Sequence, residues 1–165
     1  MAGDNFRPFA KLTALENIGF GFTRVASLDG VERFPLLRRL SLGPINRLET
    51  LDHLEGCPHV SSLQIEAAKK LRRIDAVSSL RVLQELCFTR CPAIQSLQPI
   101  AGLPELEYVS LLQTTTIAEG DISALHTLPR LKHASIGDRK HYNVKNTDLP
   151  KASRRTYKMT TLYEE

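Results

Sequence analysis

Cys87 and Cys91, in the stretch CFTRC, and His133 are the residues of this chain whose types come nearest to catalytic or metal chemistry. A cysteine attacks as its thiolate, so it needs a base within hydrogen-bond reach or a charge that lowers its pKa. A structural zinc site needs four nitrogen or sulfur ligands at recurring spacings. The chain offers neither. Its three cysteines, Cys57, Cys87 and Cys91, form no C-x-x-C pair, and its five histidines, His53, His59, His126, His133 and His141, fall at unrelated positions. Glu66 and Glu85 could share acid–base work only if burial set their pKa values apart. G-x-S-x-G, H-E-x-x-H and Walker loops are absent. The expectation is a protein without catalysis, cofactor or metal.

The elements that must position these residues follow from apolar spacing. In LLRRLSLGPINRLETLDHLEGC, from Leu36 to Cys57, apolar residues fall two apart at Leu40 and Leu42, then three apart at Leu48, Leu51, Leu54 and Cys57. An α-helix turns 100° per residue, so Leu48 and Cys57 would lie on opposite faces. A long strand fails because its side chains alternate and three is odd. A short strand with two inward residues, followed by chain at about three residues per turn, satisfies both spacings.

This composite repeats. Residues 35–57, 58–80 and 81–103 are three units of 23 that align without a gap. The second unit carries Val60, Leu63, Ile65, Ala68, Leu71, Ile74, Val77 and Leu80 at the shared apolar sites, and the third carries Leu83, Leu86, Phe88, Cys91, Ile94, Leu97, Ile100 and Leu103. Upstream, Leu15, Ile18, Phe20, Val25, Leu28, Val31 and Phe34 fit a unit one residue shorter, and Phe6, Phe9 and Leu12 match the end of an earlier one. Downstream, 104–128 is a unit with two extra residues, and a last unit runs through Leu131, Ala134 and Ile136. One unit orders too much backbone for the apolar surface it hides, so the units must stack.

The L-x-x-L-x-L core and its period resemble the leucine-rich repeat family, in the style of short-repeat bacterial proteins of the internalin type, over about residues 6 to 138. The resemblance implies an α/β repeat fold: a right-handed solenoid with short parallel strands on the concave face and 3-10 or extended segments on the convex one. That family usually has Asn three residues after the last strand leucine. Here the site holds Ile45, Ala68, Cys91 and Thr114, so the turn must satisfy its backbone by other means. The domain reading is a solenoid over 1–138, about five and a half repeats, and a basic C-terminal cap or tail over 139–165.

Charge divides the same way. Residues 1–128 hold 13 Lys/Arg and 14 Asp/Glu, whereas 129–165 hold 9 and 4. Lys151, Arg154, Arg155 and Lys158 could draw an anionic partner, but Val144, Leu149, Tyr157, Met159, Leu162 and Tyr163 supply enough apolar surface to cover the end of a stack. A solenoid cap is therefore the first expectation, and a nucleic-acid or membrane-associated tail an alternative. The KKLRR cluster at 69–73 reads as a solvated edge. No apolar run reaches the 18 residues of a membrane span, and the N-terminus shows no secretion signal. With unpaired cysteines, these features point to a reducing cytoplasm.

In this register the outward strand positions form columns. The first is Asn17, Arg39, Ser62, Glu85, Tyr108 and His133. The second is Gly19, Ser41, Gln64, Cys87, Ser110 and Ser135. The third is Gly21, Gly43, Glu66, Thr89, Leu112 and Gly137, with Arg90 just beyond. Cys87 and His133 would be two strands apart, about 9–10 Å, too far for a nucleophile and its base. The columns vary while the inward sites do not. Arg39, Gln64, Glu66, Glu85, Cys87, Arg90, Tyr108, Leu112 and His133 are the expected contacts for a protein partner, with aromatic and Arg side chains as anchors. The expected role is a protein-binding module, which the resemblance specifies as a regulatory or immunity-type inhibitor. The alternative is a truncated or structural fragment that self-associates through an open end, because NFRPFAKL starts mid-repeat with little room for a cap, giving a monomer or an end-to-end dimer.

Overall fold

A computed structural model describes residues 4–21, 24–92 and 94–150. Six strands form one parallel sheet: β1 Asn17–Gly21, β2 Arg39–Gly43, β3 Ser62–Glu66, β4 Glu85–Thr89, β5 Tyr108–Leu112 and β6 His133–Ile136. Their order in the sheet is their order in the chain, so each repeat unit lies beside the next. The only helices among the described residues are short 3-10 turns, including Val31–Arg33, Leu54–Gly56, Asp75–Ser79, Gln98–Ile100 and Ser123–Thr127.

Local chemistry explains each bend. Every strand carries two inward apolar residues separated by one outward residue, as alternation requires. The residues spaced by three then follow 3-10 or extended backbone and reach the same interior, where Leu48, Leu51 and Leu54 are fully buried. A turn leads each chain back into its strand. The N–H of Leu37 donates to the Phe34 carbonyl at 3.1 Å, that of Val60 to Cys57 at 3.2 Å and that of Leu131 to Leu128 at 3.4 Å. Pro35, Pro58 and Pro129 hold the second position of these turns, where a fixed φ favours the bend.

The bend after the strand lacks asparagine and uses the left-handed region instead. Ala67, Arg90 and Gln113 have φ of 52°, 56° and 58°. The Ala67 N–H donates to the Thr89 carbonyl at 2.8 Å and the Arg90 N–H to that of Leu112 at 3.3 Å, which ties each bend to the next unit. In the earlier unit a cis Gly43–Pro44 bond occupies this place. The expected inward Thr114 is corrected to Thr115. The offset of 23 to the preceding unit is kept on both sides of this bend, at Leu111 and at Ile117, yet within it Thr114 is exposed and Thr115 is buried. The Thr115 hydroxyl donates to the Phe88 carbonyl at 3.0 Å and accepts the Cys91 N–H at 3.1 Å. A side-chain oxygen thus satisfies backbone in the neighbouring unit.

Both ends of the stack are covered. At the first, Asp4–Leu12 follows the return path of a unit: Ala26 N–H donates to the Asp4 carbonyl and Phe6 N–H to that of Asp29, both at 2.8 Å. Phe6 is buried against Phe20 and Phe34, with ring centroids 5.6 and 6.4 Å away. At the other end Leu149 is buried and Tyr142 and Val144 pack on the same core. Tyr157, Met159, Leu162 and Tyr163, and basic residues Lys151, Arg154, Arg155 and Lys158, lie outside the described residues. Among the described residues no helix is long and apolar enough to cross a membrane.

Candidate interaction face

The sheet pairing aligns the outward columns. Arg39, Ser62, Glu85, Tyr108 and His133 are successive partners in register, as are Ser41, Gln64, Cys87, Ser110 and Ser135. Glu66, Thr89 and Leu112 form a third row. Parallel strands about 4.8 Å apart place these side chains on one surface, opposite the core.

The predicted contact residues do not stand equally free on it. Arg39 and Arg90 are exposed, whereas Gln64, Glu66, Glu85, Tyr108, Leu112 and His133 are partly buried. Cys87 is a correction: it is only 7 % exposed. It lies between Gln64 and Ser110 in register, with Sγ 3.7 Å from the Thr89 hydroxyl. Ser41, Ser62 and Ser110 are shaded in the same way. Small residues form the floor of this face and longer ones rise from it.

Electrostatics organises the centre. Arg90 pairs with Glu66 from the preceding unit. Glu85 accepts a hydrogen bond from the Ser62 hydroxyl at 3.2 Å. The two carboxylates are thereby engaged by different donors rather than by one another. Just before the strands, Lys132 donates to Glu107 at 2.7 Å, and that hydrogen bond first, with the charge of Glu107, raises the Lys132 ammonium pKa. Sequence reasoning missed this pair because it lies beside the columns. It also missed Arg139, which donates to the Gln113 carbonyl at 3.0 Å and leans over Gly137. No repeat pattern reaches Arg139, so spacing could not place it.

The groups singled out for chemistry are separated or muted. Cys87 on β4 and His133 on β6 have β5 between them. Burial pushes the Cys87 thiol up, with Glu66 and Glu85 adding to the rise against the opposing Thr89 hydrogen bond. Burial likewise pushes Cys57 to about 12 and Cys91 to about 11. Such thiols stay protonated at neutral pH and act as packing groups. Away from the strands, Asp29, Glu32 and His53 bring ligand-type atoms within 4.8 Å of one another. Asp29 already pairs with Arg7, and Glu32 accepts the Gly30 N–H at 2.9 Å. A cleft of 190 Å³ on the return side is lined by both signs of charge, Arg72 and Arg73 against Asp75 and Glu119.

No family model matches the chain, and no curated protein matches it.

Proposed function

We propose that the chain is a leucine-rich repeat solenoid of the short internalin-like type, and that it binds a protein through its concave strand face. The observation that supports this most is the register itself. Inward sites repeat, while Arg39, Glu85, Tyr108 and His133 present four different chemistries along one aligned row. A long, shallow, varied surface suits another protein, whereas a small molecule needs a closed concave pocket. The exposed Arg39, and Tyr108 and Leu112 at the two ends of β5, are the anchors of this reading. The fixed Glu66–Arg90 pair supplies charge selectivity between them. Binding without catalysis in a bacterial cytoplasm, as a regulator or an immunity-type inhibitor, completes the proposal.

The test is affinity capture with the wild-type protein beside an Arg39→Glu, Tyr108→Ala double variant of unchanged circular dichroism. A partner retained by the wild type and lost, or at least tenfold weakened, by the variant supports the reading. Equal recovery by both removes this face as the site.

A further inference from the structure

The cleft of 190 Å³ on the return side of the coil lies away from the strands, with Ile74 and Pro99 as its apolar lining. Register explains the space. Arg73, Ser96 and Glu119 are successive members of one column, each 23 residues from the next, as the bridges Thr50–Arg73 and Ile94–Ile117 set it. The Glu119 N–H donates to the Gln95 carbonyl at 3.1 Å, and the Gln95 N–H to that of Arg72 at 2.9 Å. Ser96 is the short member of the column, and its hydroxyl accepts the Gln98 N–H at 3.2 Å. A gap therefore stands above Ser96, with long charged side chains on either side of it.

The charges of the two walls are not used alike. Arg73 donates from Nε to Asp75 at 2.9 Å, so that pair is closed on itself. Among the described residues, neither Arg72 on the same wall nor Glu119 on the other has an ion pair. A cation and an anion thus face one small space from opposite sides.

We infer that this cleft binds a free α-amino acid with a small apolar side chain, its carboxylate on Arg72 and its ammonium on Glu119. The separation selects that class. Units two apart place their backbones about 9–10 Å from one another. Two charge-assisted contacts of about 2.8 Å leave about 4 Å between the ligand's own charges. An α-amino acid spans that distance, whereas an ω-amino acid is longer and a lone carboxylate or amine satisfies one wall only. A volume below the about 300–1,000 Å³ of drug-sized sites keeps the ligand's side chain small, and Ile74 and Pro99 keep it apolar. The cleft is apart from the strand face, so it stands or falls separately from protein binding there.

An amide-resolved NMR titration of the 165-residue chain with L-valine tests the assignment. Exposed ion pairs are weak, so saturation is expected in the millimolar range. Saturable shifts should appear at the amides of Arg72, Gln95, Ser96 and Glu119. Valinamide lacks the carboxylate, N-acetylvaline lacks the ammonium and ε-aminocaproate sets the charges too far apart. Each should bind about threefold to tenfold more weakly than valine. Arg72→Gln and Glu119→Gln, at exposed positions, should keep a folded spectrum and lose affinity by a similar factor. Arg130→Gln, which breaks an ion pair elsewhere on the surface, should bind valine as wild type does. Shifts that never saturate overturn the inference, as does equal binding of all four compounds or undiminished binding by both cleft variants. If a cleft variant fails to fold, the four compounds on the wild type decide alone.

Discussion

The two ends of the stack meet the same difficulty, an exposed last layer of core, with different chemistry. The first end is closed by packing: Phe6 enters between Phe20 and Phe34, and Phe9 lies 5.5 Å from Phe20. The second is closed largely by polar contacts. Tyr142 accepts the Ile117 N–H through its hydroxyl at 3.0 Å, and Asn143 accepts the Ile122 N–H at 2.9 Å. His141 donates from Nε2 to the Ile117 carbonyl at 3.0 Å, and its ring stands edge-on to Tyr142. Among the described residues the aromatic end covers the interior without pairing to the outer side of β1, whereas the polar end also crosses its edge at Ala134. Covering a core and covering an edge are thus separable tasks.

Packing ends should fail hardest when hollowed. Phe6→Ala leaves a cavity under the first layer, and its expected cost is about 3–5 kcal/mol by denaturant unfolding. Leu149→Ala, at the polar end, should fall in the lower part of the about 2–5 kcal/mol range for such truncations, because hydrogen bonds continue to hold that segment. Equal losses, or a larger one at Leu149, would break the distinction between the ends.

A shared device permits both closures. Gly30 and Gly120 have φ of 97° and 71°, and a Cβ on either would run into backbone of the covering segment, at Arg7 and His141 respectively. Gly102 has a similar φ of 67° with open space around it. Gly102→Ala should therefore cost only the left-handed penalty, about 1 kcal/mol. Gly120→Ala adds the clash and should cost about 2 kcal/mol or more, with faster amide exchange at Asn143, whose N–H donates to the Gly120 carbonyl at 3.0 Å. If the two alanines cost the same, close approach is not what glycine serves there.

These ends also mark where the sequence stops being readable. Ile18, Leu40, Leu63, Leu86 and Val109 could be aligned by eye because each answers to its own unit, and the sheet pairs them as that alignment implies. Gly30 and Gly120 answer to residues more than 20 positions away, so neither announces its purpose locally. The slip from Thr114 to Thr115 has a similar origin. Counting from Cys91 leads to Thr114, and only the reach to Phe88 and Cys91 shows Thr115 in that place. On the interaction face, spacing assigned Cys87 its column but could not show that the side chain is only 7 % exposed there. Spacing gives direction, and exposure depends on neighbours that spacing does not describe.

The smallest expected effect sharpens the polar side of the comparison. Asp121 accepts hydrogen bonds from the Ser123 N–H at 2.9 Å and the Asn143 amide at 2.8 Å. Those from Ser123 come first among the causes that hold its carboxyl below the ordinary 3.8, with Asn143 next. A carboxyl whose folded pKa is depressed contributes stability that is fully present above its unfolded value and is lost as pH falls through the folded one. The contribution should therefore be constant near neutrality and fade only below pH 3.8. Asp121→Asn keeps one acceptor oxygen and removes the charge, so it should be slightly less stable than wild type at neutral pH and equal to it in strong acid. Because the group is only partly buried, salt should shrink the difference. The Phe6→Ala loss has no such charge and should change little with salt or pH. Should the Asp121→Asn difference persist undiminished in acid, or the Phe6→Ala loss follow the carboxylate's titration, the division into an apolar and a polar end fails.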